Sequence, residues 1–73
     1  MSGLIKVYMP LRNEGTPVWR PVQARPRNDG SYEVLGPMPE SEEWMFLPGA
    51  VVRCRYQALS GSDSLVIYEQ ISN

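Results

Sequence analysis

The chain has 73 residues, a single cysteine, no histidine and a formal net charge of −1. One cysteine excludes an intrachain disulfide, and without histidine it leaves neither a zinc-type ligand set nor the commonest general base. The slightly acidic balance disfavours nonspecific phosphate binding, which needs clustered cations, so nucleic acid is not the expected partner.

The length suits one domain, 1–73, with a thin core. Met1-Ser2-Gly3 leads straight into a strand-like run, with no charged segment followed by an apolar one as in a secretory leader. No apolar run approaches membrane-spanning length, so no membrane partner is expected. Cys54 lies inside an apolar run, as a buried cysteine in a reducing compartment would. The expected location is the cytoplasm.

Seven prolines and six glycines cut the chain into short pieces rich in Val, Ile, Tyr and Trp. The first piece, Leu4 to Leu11, alternates, with Ile5, Val7, Met9 and Leu11 facing the core and Lys6 and Tyr8 facing out. Residues 12–16 read as a loop. The second strand, Val18 to Arg25, puts Val18, Val22 and Ala24 on one face and Trp19 on the other. Pro21 cannot donate to a ladder and so predicts an edge or a bulge there. Asp29-Gly30 suits the positive φ angles of a tight hairpin, with Tyr32 to Leu35 returning. The segment 36–43, with two prolines and three glutamates, reads as a solvated connection.

Trp44-Met45-Phe46-Leu47 follows, with Trp44 and Phe46 on one face. Pro48-Gly49 then predicts a type II turn. Val51 to Leu59 reads as the longest strand, with Val52, Cys54, Tyr56 and Ala58 inward and Arg53, Arg55 and Gln57 outward. Residues 60–63 close a hairpin to Leu65-Val66-Ile67-Tyr68, and residues 71–73 form a tail. Five or six short strands with hairpin links, one irregular loop and a Pro-Gly turn before a long strand predict an all-β fold, a small five- or six-stranded SH3-like barrel. An OB-type barrel would need more residues and a helix between strands.

Two stretches carry a resemblance. Residues 14–24 (EGTPVWRPVQA) and 42–54 (EEWMFLPGAVVRC) resemble a group of short, uncharacterised bacterial proteins with the pattern EGTxVWRPVxA … EEWxFxPGxxVRC. The likeness spans most of the chain from about Tyr8 onward. It implies a bacterial protein, of a size common among the cargo of mobile gene cassettes, and it transfers no activity. Leu65-Val66-Ile67-Tyr68 resembles the Val-Gln-Ile-Tyr motif of plasmid-borne type II dihydrofolate reductases, which are SH3-like tetramers. Val66 stands where that family has its functional glutamine, so neither folate nor nicotinamide binding carries over.

No catalytic, cofactor-binding or metal-binding set is readable, and the chain is not expected to be an enzyme. Ser60, Ser62 and Ser64 have no base to activate them. Glu42 and Glu43 are adjacent carboxylates without a pocket to split their pKa values. The candidate partner-binding residues are Trp19, Arg20, Arg53 and Arg55, with Tyr68 beside them, and Tyr8 could extend the aromatic patch. The alternative for these arginines is a solvated face paired with Glu33 and Glu69. The expected function is a non-catalytic protein-interaction or self-associating module, its partner itself as a homodimer or another protein. The alternatives are a nucleic-acid-binding small barrel and an oligomeric ligand-binding protein or enzyme with a site shared between subunits.

Overall fold

The computed structural model describes residues 3–72. The leader expectation at Met1 and Ser2, and Asn73 of the expected tail, lie outside the described residues. Five strands form: β1 (Ile5–Pro10), β2 (Trp19–Pro26), β3 (Tyr32–Val34), β4 (Val51–Leu59) and β5 (Ser62–Ser72). They close into a barrel in sequence order, with antiparallel neighbours throughout except for the parallel join of β5 to β1. This is the small SH3-like barrel that the hairpin spacing predicts.

The core is built from alternate residues of every strand. Val7 and Met9 of β1, Val22 and Ala24 of β2, Val34 of β3, Val52 of β4 and Ile67 of β5 are buried together with Trp44 and Ala50. Each full-sized side chain in this set contributes about 1.5–3 kcal/mol by leaving water. Trp44 and Phe46 do alternate inward, but Trp44 makes only one isolated bridge, to Leu11, so the described residues form no sixth strand.

The Pro48-Gly49 turn is type II as predicted: Ala50 N–H donates to Leu47 O at 3.0 Å, and Gly49 has φ +94°. The Asp29-Gly30 turn is wider than a two-residue hairpin. Only Gly30 takes positive φ there, and the Asp29 carboxylate instead accepts hydrogen bonds from the Ser31 backbone and hydroxyl. Those two bonds hold the Asp29 carboxyl below the usual carboxylate range.

Several expectations are corrected. Pro21 produces no bulge: the β1–β2 register runs unbroken through the Tyr8–Pro21 pair. Because β2 meets β3 only from Ala24 onward, the flank of Pro21 away from β1 is a local edge where a missing donor costs little. The β4–β5 turn is only Ser60-Gly61, both at positive φ, the type I′ geometry. β5 is therefore the longest strand, at 11 residues against nine for β4. Residues Ile71 and Ser72 belong to it rather than to a tail. Tyr56 does not face a core: its side chain is 74% exposed, because β4 has passed the barrel rim by that point.

Candidate partner-binding surface

The strand registers set four outward residues in one row. Pro21 of β2 pairs with Tyr8 of β1, Tyr8 bridges Val66 of β5, and Val66 pairs with Arg55 of β4. Val66 is only 3% exposed, yet it is not part of the core cluster that holds its neighbour Ile67. Consecutive strand residues point to opposite faces, so Ile67 lies inside the barrel and Val66 is buried on the outer wall.

Two cation–π pairs flank it. The Arg55 guanidinium sits 4.8 Å from the Tyr68 ring centroid, and the Lys6 ammonium 5.5 Å from that of Tyr8. Each is worth about 0.5–1 kcal/mol at an exposed site. Tyr68 reaches this position because it is the extra residue of a β-bulge, where the register passes from Arg53–Glu69 directly to Cys54–Ile67. Bulges re-aim side chains in this way. Tyr68 and Glu69 consequently both stay exposed, and Arg53 Nε lies 3.8 Å from Glu69. That exposed pair contributes little stability.

Trp19 shares the outward phase of this wall. It pairs with Pro10 and is half-buried, and it is not among the side chains packed on the core. Arg20 is elsewhere. Its partner is the buried Met9, which gives it the inward phase, but it lies at the barrel end with its side chain exposed, and its Nε donates to Glu42 at 2.7 Å. The other Glu42 oxygen accepts Trp44 Nε1–H at 2.9 Å. The Trp44 hydrogen bond first, and then the Arg20 charge, hold Glu42 below the usual carboxylate range. Glu42 is thus a clamp between the 36–43 loop and the core Trp, a departure from the solvated loop that its composition suggests. Glu43 accepts from the Asn13 amide, and Glu40 is exposed.

Of the five candidates, the fold brings Arg53, Arg55 and Tyr68 together, sets Trp19 on the same outer phase two strands away, and separates Arg20. The pairing of Arg25 with Glu33 at 3.1 Å, like that of Arg53 with Glu69, follows the cross-strand pairing expected of a solvated face. The burial of Val66 on the outer wall and the exposure of Tyr56 were not legible, because the first depends on the parallel β1–β5 join and the second on where the barrel ends. Among the described residues no group of three or more His, Cys, Asp or Glu side chains could hold a metal ion. Burial pushes the Cys54 thiol up to about 11, which leaves it protonated and unreactive at neutral pH. Among the described residues no helix is long and apolar enough to cross a membrane.

These features define a small five-stranded barrel of the SH3-like class with an aromatic and cationic outer wall. No protein-family model matches the chain, and no curated protein or solved structure matches it either.

Proposed function

We propose that this barrel is a non-catalytic interaction module that works by surface contact and associates with itself as a homodimer. The observation that carries this reading is the amount of large apolar surface the barrel leaves in water. Tyr56, Leu47, Met45 and Tyr68 are 74%, 58%, 49% and 45% exposed in a chain whose buried core cluster is, among the described residues, only nine residues. Burying such groups against a second copy enlarges the effective core of a domain too small to bury them itself. The outer wall of Tyr8, Arg53, Arg55 and Tyr68, with Trp19 at its margin, is the surface offered to a further protein. A cytoplasmic location belongs to the proposal, supported by a cysteine content of one, which suits a reducing compartment. So do a bacterial origin, which rests on the sequence resemblance, and a place in a mobile gene cassette, which rests on chain length alone.

The test is the solution mass by light scattering from about micromolar to millimolar protein, spanning the affinity range of weak and tight dimers. A mass that moves from one chain to two with concentration, or stays at two, supports the reading. A single-chain mass throughout overturns it. The two cation–π pairs favour a second reading, single-stranded nucleic acid stacked on Tyr8 and Tyr68 with phosphates on Lys6 and Arg55. Its mark is oligonucleotide binding that weakens steeply as salt rises.

A further inference from the structure

The barrel closes through one parallel bridge, Tyr8 to Val66. On the hairpin side of that bridge β1 and β5 part. The gap is a cleft of about 530 Å³ whose lining includes Ile5, Lys6, Tyr8, Tyr56, Asp63 and Leu65. The β4–β5 hairpin stands clear of the barrel here, because Tyr56, Ala58 and Asp63, all on its inward phase, are exposed.

Its backbone is not fully used. Leu59 and Ser62 close a two-residue turn and so form a hydrogen-bonded pair, and pairs alternate along an antiparallel ladder. The next pair, Ala58–Asp63, is therefore the non-bonded kind, and the N–H and C=O of Asp63 point away from β4 toward the cleft. Leu65, two residues on, faces the same side, but its C=O is on the Tyr8–Val66 bridge, so only its N–H is left to the cleft. Lys6 and Asp63 bring one cation and one carboxylate to the cleft, and neither takes part in an ion pair among the described residues.

We propose that this cleft is the homodimer interface. The free β5 edges of two copies pair antiparallel about a two-fold axis, Tyr56 of each copy covers the Ile5–Leu65 floor of the other, and Lys6 of each meets Asp63 of the other. This rests on the self-association reading above and adds the surface that performs it. A two-fold contact requires one patch to carry both halves of every interaction. This patch does: a backbone donor and acceptor on one edge, a cation and a carboxylate, a projecting ring and an apolar floor. An outside peptide of single charge would satisfy Lys6 or Asp63 and leave the other facing its like. A second copy satisfies both. Pairing also covers an open strand edge, which otherwise invites aggregation.

The experiment compares the solution mass of the wild-type chain with that of Lys6→Asp, of Asp63→Lys and of an equimolar mixture of the two, with cooperative unfolding checked in each. Each single variant places two like-charge contacts across the two-fold, so its dimer dissociation constant should rise about tenfold or more. In the mixture, one chain supplies only carboxylates and the other only ammonium groups. The heterodimer regains both attractive contacts, and the mass returns to two chains. Asp63→Pro, which removes the edge donor without touching the β4 ladder, should also give a folded monomer. A wild-type dimer that persists unchanged in both charge variants and in Asp63→Pro overturns the cleft but leaves self-association standing. Folded single variants that stay monomeric on mixing overturn the two-fold pairing. A wild-type monomer throughout overturns the self-association reading and this one with it.

Discussion

Val52 and Tyr56 lie four residues apart on the same phase of the same strand, and they end in opposite environments. Val52 is fully buried, between the β3 and β5 contacts of β4, while Tyr56 is in water. Strand periodicity assigns both to one face, and whether that face meets a core depends on which neighbours reach that far. The consequence for Val52 is firm. Val52→Asp puts an unpaired carboxylate where no partner or water can reach it, a cost that exceeds the margin of a domain this small. Circular dichroism should show loss of the cooperative thermal transition; a soluble, cooperatively melting variant would contradict the burial. The two tryptophans divide in the same manner. Trp44 is buried at 4% exposure with its indole N–H satisfied by Glu42, and Trp19 remains half-buried on the wall. Trp44 and Phe46 thus share one face as their alternation predicts, and Arg20 is drawn to Glu42 rather than to the wall of Arg53, Arg55 and Tyr68.

The elements are held in register by their turns. Gly49 and Gly61 sit at φ +94° and +84° with open space around a would-be Cβ, so any penalty for a side chain there comes from backbone conformation alone. Gly49→Ala should lower stability by about 1–2 kcal/mol, read from the urea midpoint at an unchanged m-value. A neutral effect would mean that the turn relaxes to another type. The first of these turns was legible because Pro-Gly carries its φ requirement locally, whereas the second, read as 60–63, is two residues shorter. The bulges of β5 were not legible. The extra residues Tyr68 and Ile71 have no local signature, and they arise because β5 must bend to meet β4 on one side and β1 on the other. Through the first of them the Arg55–Tyr68 contact forms, so the most compact part of the candidate surface depends on a feature that alternation alone would misplace.

At the scale of the whole molecule, acid stability follows from the carboxylates that native contacts hold ionised. Glu42 and Asp29 both have native pKa values below their unfolded ones. The unfolded chain therefore binds protons first as pH falls. The stabilisation is fully present above the unfolded values, about 4 for both groups, and is lost as pH drops through the depressed native values. Urea midpoints measured from pH 7 to pH 3 should be flat above about pH 5 and fall below it. Glu42→Gln should make that fall shallower, and an unchanged slope would show that Glu42 carries none of it.

The sequence by itself determined the class of the fold, the inward sets of β1 and β2 and the type II turn at Pro48-Gly49, because period-two burial and φ preference are encoded within a few residues. Only the tertiary structure decided that Val66 is buried on the outside, that Tyr56 stands free, that Arg20 is tied to Glu42 and that β1 and β5 part around a cleft. Each of those depends on where non-adjacent strands meet and where they stop, and that is fixed by closing the barrel rather than by any local stretch of chain.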